Sequence, residues 1–128
     1  MGKIDTAVPP VNADASGDLT AKIWRFGKYT ATGVAACSVL GERADGIIGG
    51  HFVKAPTAGD AVDFYTDLRP CKVQVGAAVA KGAELTPNAN GDAITAVATN
   101  IVAAKAMEAA GAAGAIITVL PVARYAKP

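Results

Sequence analysis

The chain has 128 residues, enough for one domain or for two very small units that share a core, and its hydrophobic fraction of 52% includes few aromatic residues (5%). Twelve lysines and arginines oppose eleven acidic residues, and the net charge of +1 comes without any run of like charge. This disfavours nucleic-acid binding, which needs clustered cations, and no apolar stretch approaches the roughly 20 residues of a membrane span.

The N-terminal segment, residues 1–20, differs from the rest of the chain. It has no sustained hydrophobic period, and its two consecutive prolines fix φ and remove backbone donors, which favours an extended arm. It also lacks the apolar stretch of a secretory signal, so we expect synthesis in the cytoplasm. Two interpretations stay open: a frayed terminus, or a strap that orders against a partner. The strap interpretation predicts a binding segment made of Ile4, Val8, Pro9, Pro10 and Val11.

From residue 21 onward the sequence predicts short β-strands separated by turns of Gly, Asn and Asp. Residues 22–26 form the first predicted strand. Residues 45–53 form a second, whose glycines indicate a bulge or a close backbone approach. Residues 61–67 form a third, in which apolar and polar residues alternate, so that one face is buried and the other wet. Its buried face is predicted to hold Val62, Phe64 and Thr66.

The sequence also repeats itself. Residues 75–83 match residues 26–34 in the positions of both glycines, and residues 100–119 follow the pattern of residues 45–64. We therefore predict two tandem units of about fifty residues, each too small to bury a core of its own.

The turn residues of the second unit indicate how its strands pair. Asn90-Gly91-Asp92 supplies positive φ at low cost and predicts a hairpin between residues 83–86 and 93–97. The predicted fold is all-β, a small β-sandwich or partly open barrel that follows an extended N-terminal arm. The single β-rich domain is expected over residues 21–128, with pseudo-repeats at about residues 22–69 and 71–122.

Residues 101–113 give conflicting signals. Local propensity favours a helix, because Ala, Met, Glu and Lys are good helix formers. The repeat favours a strand, since the matching segment contains Gly49, Gly50 and Pro56, which a helix would not tolerate. We follow the repeat and predict a strand over residues 101–108.

Residues able to support catalysis or to bind a metal are few. His51 is the only histidine, and it lies in no recognisable catalytic motif, so a structural role is favoured. Asp60 fits a turn, and Asp63 and Asp67 fit the wet face of a strand better than a metal site. The two cysteines, Cys37 and Cys71, are too few for a disulfide framework or a zinc site and are expected to be buried thiols. The sequence predicts no catalytic, cofactor or metal site, and a hydrolase or thiol enzyme ranks last among the candidate functions.

Two lysines invite comparison with binding motifs. Lys81-Gly82 resembles the end of a phosphate-binding loop, but Ala83 replaces the hydroxyl residue that such a loop needs. Residues 73–85 (Val-Gln-Val-Gly-Ala-Ala-Val-Ala-Lys-Gly-Ala-Glu-Leu) resemble a stretch of lipoyl and biotinyl domains, which present a modified lysine at a hairpin tip. Lys105 departs from that pattern in its position and its neighbours. A carrier or ligand-binding β-module is therefore the alternative function.

A succession of motifs between Gly33 and Pro121 points to a different family. In order, it contains Asp45-Gly46-Ile47-Ile48-Gly49, Ala58-Gly59-Asp60-Ala61-Val62, Val75-Gly76-Ala77-Ala78-Val79-Ala80-Lys81-Gly82, Asn90-Gly91-Asp92, residues 103–108 and Ala113-Gly114-Ala115-Ile116-Ile117-Thr118-Val119. This order of turns and strands resembles the head decoration (cement) proteins of tailed bacteriophages.

The resemblance implies a structural protein without enzymatic activity. Such a protein binds the outer surface of the mature capsid and stabilises the shell against internal DNA pressure. The implied partner is the major capsid protein, the implied location is the outer surface of the virion, and the implied assembly is a homotrimer. Neither nucleic acid nor a membrane is an expected partner.

Overall fold

In the computed structural model, residues 11–19, 21–49 and 61–128 are described. All the regular structure in these residues is β, with no helix, so the predicted all-β class is confirmed. The ten strands are β1 (Val11–Asp14), β2 (Phe26–Thr30), β3 (Gly33–Ala36), β4 (Gly46–Ile48), β5 (Ala61–Tyr65), β6 (Cys71–Gln74), β7 (Glu84–Pro87), β8 (Ala93–Thr95), β9 (Ile101–Ala106) and β10 (Ile116–Ala126).

The strands form two five-stranded sheets with the same internal order. The first sheet is ordered β1-β5-β4-β2-β3 and the second β6-β10-β9-β7-β8, so each strand of the second sheet takes the place of the strand five positions earlier. The paired strands within each sheet are antiparallel. The two sheets therefore repeat one strand order, and the first sheet includes β1, which lies before residue 22, the predicted start of the first pseudo-repeat.

Two equivalent bridges fix how the units correspond. Ala15 forms a parallel bridge with Val34, which joins the end of β1 to β3, and Val75 forms the matching bridge with Ala93, which joins the end of β6 to β8. Val75 is thus equivalent to Ala15. The predicted match of Val75 to Phe26 is wrong, because it relied on the spacing of glycines rather than on strand pairing.

The predicted alignment of residues 100–119 with residues 45–64 is correct at its end and wrong by three residues at its start, because Ile48 pairs with Phe64 and Ala106 pairs with Val119, so that Ile48 corresponds to Ala106 and not to Ala103. Phe64 of β5 pairs with Val11, and Val119 of β10 pairs with Cys71, the first residue of the equivalent strand. Phe64 and Val119 are both fully buried. Around these two residues both strands alternate apolar and polar residues, Val62-Asp63-Phe64 in β5 and Ile117-Thr118-Val119 in β10.

The described part of the predicted arm belongs to the first sheet. Val11–Asp14 forms β1 at the edge of that sheet, alongside β5. The following residues Ala15 and Leu19 are buried in the core, so the chain is integrated into the fold well before residue 20. Ile4, Val8, Pro9 and Pro10 lie outside the described residues.

The first predicted strand, over residues 22–26, is wrong in its extent, because β2 begins only at Phe26. Trp24 has a φ of 59°, in the left-handed region, which ends any extended chain before it. The Trp24 N–H donates to the carbonyl of Ile48 (2.8 Å), and its own carbonyl accepts from the Gln74 N–H (2.7 Å). These tertiary hydrogen bonds override the local β propensity of the segment.

The other strand predictions agree with the structure where it describes them. In β5, Val62 and Phe64 are buried as predicted, whereas Thr66 follows the strand and is half-buried. Of the strand predicted over residues 45–53, β4 forms three residues, and the part from residue 50 onward lies outside the described residues.

The predicted hairpin of the second unit joins β7 to β8. Gly91 has a φ of 83°, the positive value for which glycine was expected. The Asn88 side-chain oxygen accepts the N–H groups of Asn90 (2.8 Å) and Asp92 (3.0 Å), which closes the loop. The loop is therefore held by its own polar residues.

The segment with conflicting signals is a strand. β9 covers Ile101–Ala106 and lies between β7 and β10, the central position of the second sheet. Its residues Val102, Ala103 and Ala104 are fully buried. Pairing on both edges stabilises the extended chain, so the repeat was a better guide than the helix propensity of alanine.

Two clusters of buried side chains form the core. The first lies within the first unit and contains Ala15, Leu19, Val34, Ile48, Val62 and Phe64. The second combines the apolar side chains of the second unit with four residues of the first, namely Phe26, Cys37, Ala44 and Ile47. Because successive side chains of a strand point to opposite faces, β4 sends Ile48 into one cluster and Ile47 into the other.

Polar contacts also join the two units. Arg25 Nε lies 2.6 Å from Asp92 Oδ1 in an ion pair between the units. Arg124 Nε donates to the carbonyl of Ala44 at 2.6 Å, and the N–H of Phe26 donates to the carbonyl of Gly91 at 2.8 Å. The two units are therefore packed and hydrogen-bonded as one body.

We expect Phe26→Ala to destabilise the whole chain by about 3 to 5 kcal/mol, because it removes a buried ring that both units share. Denaturant unfolding followed by fluorescence and circular dichroism checks this, and both probes should report one transition. Leu68→Ala, at a side chain that is 54% exposed, is the matched control and should cost less than about 0.5 kcal/mol. Two separate transitions in the native chain would contradict the shared core.

Candidate interaction surface

The two cysteines do not form a reactive thiol site. Burial, followed by the negative charge of Glu42, raises the pKa of Cys37 to about 12. Burial is also the main cause that raises the pKa of Cys71 to about 11. Both side chains are free thiols, and at neutral pH both are protonated, whereas a nucleophile needs the thiolate.

The acidic and histidine candidates are not gathered in the described part of the chain. Asp63 is half-buried in β5, and Asp67 pairs with Arg69 at 3.2 Å. His51 and Asp60 lie outside the described residues. Among residues 11–19, 21–49 and 61–128, no group of histidine, cysteine and acidic side chains could hold a metal ion. No helix in those same ranges is long and apolar enough to cross a membrane.

The lysines compared with binding motifs lie in the wrong surroundings for those motifs. Lys105 is in the middle of β9, opposite Glu84 of β7 and Leu120 of β10, and not at a hairpin tip. Lys81-Gly82 forms a turn that no helix follows in the described chain, whereas a phosphate-binding loop opens a helix. The structure gives no support to the carrier alternative.

The clearest exposed apolar feature comes from two equivalent turns. The first joins β3 to β4, where the Val39 N–H donates to Glu42 Oε2 (2.9 Å) and the Glu42 N–H donates to the Val39 carbonyl (3.2 Å). The second joins β8 to β9, where the Val97 N–H donates to Asn100 Oδ1 (2.9 Å) and the Asn100 N–H donates to the Val97 carbonyl (3.0 Å). The duplication has thus produced two turns with one hydrogen-bond pattern and a valine at the same place.

The two turns lie against each other. The N–H of Gly41 donates to the carbonyl of Pro87 (2.9 Å), and the N–H of Ile101 donates to the carbonyl of Gly41 (3.0 Å). Their apolar side chains are more than half exposed and together define what we call the turn patch: Val39 (58%), Leu40 (57%) and Val97 (62%). Exposed apolar side chains on two adjoining turns make the turn patch a candidate for contact with a protein partner.

Glu42 holds the first turn in place. Burial alone would raise its pKa, but the N–H groups of Ser38 (2.6 Å) and Val39 (2.9 Å) and the ammonium of Lys28 (3.0 Å) keep the pKa below its ordinary value. The carboxylate is therefore ionised at neutral pH, and its partners are groups of the same chain. The charge beside the turn patch is neutralised, so the patch itself is available for apolar contact.

The turn patch was not predicted from the sequence. Val39 and Leu40 lie outside the predicted strands, and only the carboxylate three residues after Val39 signals a closed turn. Of the predicted binding segment, the structure describes Val11 alone, whose backbone pairs with Phe64. The turn patch and the segment before Val11 are therefore two separate candidates for a binding surface.

Comparison with known proteins identifies the fold. No protein-family model and no curated protein matches the sequence. Among solved structures, the chain is similar to the N base of the head fiber protein gp8.5 of bacteriophage phi29, with a TM-score of 0.63 and 21% sequence identity. The match covers 90% of this chain and 93% of that chain. This chain therefore shares the fold of that head fiber base. The similarity to phage head proteins that the order of motifs predicted is confirmed at the level of the fold.

We expect Glu42→Gln to reduce the free energy of unfolding by about 1 to 3 kcal/mol at neutral pH, because it weakens three hydrogen bonds to a charged acceptor. The folded pKa of Glu42 lies below the ordinary value of 4.5. Its contribution is therefore complete above that value and is lost as the pH falls through the folded pKa. Urea unfolding of both proteins from pH 7 to pH 3 should show a difference that shrinks on acidification. A difference that is constant with pH would contradict this role.

Proposed function

We propose that this chain is a structural protein of a tailed-phage head, which binds the outer surface of the mature capsid and stabilises the shell against internal DNA pressure. The observation that carries the proposal is the fold shared with the base of a phage head fiber over nearly the full length of both chains. The order of turn and strand motifs in the sequence supports the same family of proteins. The proposed partner is the major capsid protein, and the proposed assembly is a homotrimer.

This function needs adhesion rather than chemistry. A protein that binds the mature shell and not its precursor lowers the free energy of the mature state by mass action, in proportion to its affinity and concentration. Protonated thiols and charges that pair within the molecule, such as Lys28 with Glu42, suit this role. The proposed activity is therefore non-enzymatic.

Two parts of the chain are proposed to meet the capsid. One is the N-terminal segment with Ile4, Val8, Pro9, Pro10 and Val11, which leads into β1 at the edge of the first sheet. The sequence predicts an extended chain for this apolar segment, and an extended chain is suited to strand addition. The other is the turn patch. Two linked contacts increase the overall affinity, because binding of the first raises the effective concentration of the second.

The N-terminal contact is tested with heads purified from a phage that lacks this protein. We expect Ile4→Ser combined with Val8→Ser to reduce co-sedimentation with the heads by at least tenfold, because both apolar side chains are lost. The control is Asp5→Ser combined with Thr6→Ala in the same segment, which should bind like the native chain. Equal binding by the Ile4/Val8 variant would remove this segment from the proposal.

The turn patch is tested on the same heads with Val39→Ser, Leu40→Ser and Val97→Ser together. We expect weaker binding with an unchanged free energy of unfolding, because the three side chains are exposed and the closing hydrogen bonds use backbone groups of the two valines. Leu68→Ser, at another exposed apolar residue, is the control. Failure of the native chain itself to bind the heads would contradict the proposed function as a whole.

A further inference from the structure

The two turns that carry the turn patch differ at one backbone position. Each turn is closed by hydrogen bonds between its first and its fourth residue. The third residues are Gly41, with a φ of 77°, and Thr99, with a φ of 72°. A turn with positive φ at its third residue ordinarily has glycine there. The first turn follows this rule, and the second has a threonine instead.

Threonine is unfavourable at such a position. A β-branched side chain crowds the backbone in the left-handed region and is a conformational outlier there. Glycine would relieve the strain, because it has no Cβ. The Thr99 N–H donates to the carbonyl of Lys127 (2.8 Å), and glycine would make the same hydrogen bond. The backbone hydrogen bonds of the turn therefore do not require the threonine side chain.

Packing does not require this side chain either. A Cβ at Gly41 would collide with the side chain of Asn100, so the first turn must have glycine at its third position. Thr99 is exposed, as is the preceding Ala98. Thr99 also belongs to the same turn as Val97, which is 62% exposed and part of the turn patch. An exposed side chain that adjoins the turn patch thus carries the strain.

Trp24 shows how a residue with positive φ can be explained by the fold. Trp24 and Thr99 are the residues other than glycine that have positive φ in the described ranges 11–19, 21–49 and 61–128. The Trp24 ring stacks on Tyr65, with ring centroids 6.1 Å apart, and packs against the second cluster of buried side chains. These contacts offset its backbone strain. Thr99 belongs to neither cluster.

Backbone strain of this kind is concentrated at functional sites in proteins. We propose that Thr99 is a specificity-determining residue of the contact with the major capsid protein. Its methyl group extends the apolar surface of the turn patch, and its hydroxyl group hydrogen-bonds to the capsid protein. A hydrogen bond has a preferred direction, so it adds orientation to a contact that is otherwise apolar. The inference rests on the proposed function and deepens it.

The size of this surface favours the capsid over a second copy of the chain. A stable interface between two proteins takes about 20 to 30 residues from each partner, and the turn patch with Thr99 supplies far fewer. Two copies that met through this surface alone would not form a stable dimer. A small surface adds affinity when another contact already holds the partner, and the N-terminal segment is proposed to do so.

The test is Thr99→Gly, which removes the side chain and relieves the strain together. We expect a midpoint of thermal unfolding equal to or above that of the native chain, because the relief of strain offsets the greater flexibility of glycine in the unfolded chain. Binding to heads purified from a phage that lacks this protein should fall by about threefold to tenfold, the loss that one hydrogen bond represents. This combination is expected of a residue retained for binding.

The matched control is Thr32→Gly, which removes another exposed threonine from the hairpin at the opposite end of β3. Thr32 is not among the residues with positive φ, so glycine relieves no strain there. The control should lower the midpoint of unfolding and leave binding to the heads unchanged.

Three results would overturn the proposal and leave the proposed function intact. The first is a Thr99→Gly variant that binds the heads as tightly as the native chain. The second is a midpoint of unfolding below that of the native chain, which would assign the side chain to the fold. The third is a lower weight-average mass of Thr99→Gly in sedimentation velocity, which would make a second copy the partner. Failure of the native chain to bind the heads would contradict the proposed function and this proposal together.

Discussion

The whole structure depends on β4, because this strand contributes one residue to each of the two clusters of buried side chains. Ile48 points into the first cluster and Ile47 into the second, because consecutive residues of a strand face opposite ways. The backbone of Trp24 adds a further link between the units, because its N–H donates to the carbonyl of Ile48 and its carbonyl accepts the N–H of Gln74 in the second unit. A short strand thus couples both units, and a chain of this length gains the burial that neither half would reach alone.

Strand pairing, and not the spacing of glycines, shows which residues of the two units correspond. The match between Phe64 and Val119 rests on burial in equivalent strands, and strand pairing preserves it through duplication. The positions at which glycine is required depend instead on local packing. Gly27 is required because a side chain there would come within 2.8 Å of the Phe64 ring, whereas Gly76 lies against the polar side chain of Asn88. The two glycines have different causes, so their similar spacing carried no information on equivalence.

The candidate surface was harder to predict than the fold, because exposure in loops depends on tertiary hydrogen bonds. Val39 has strong β propensity, yet Glu42 accepts the N–H groups of Ser38 and Val39, and the side chains of Val39 and Leu40 are left in solvent. The sequence-predicted binding segment from Ile4 to Pro10 stays a prediction. The sequence predicts no active site, and this prediction followed from its composition and from the spacing of its histidine, cysteine and acidic residues, neither of which requires a three-dimensional structure.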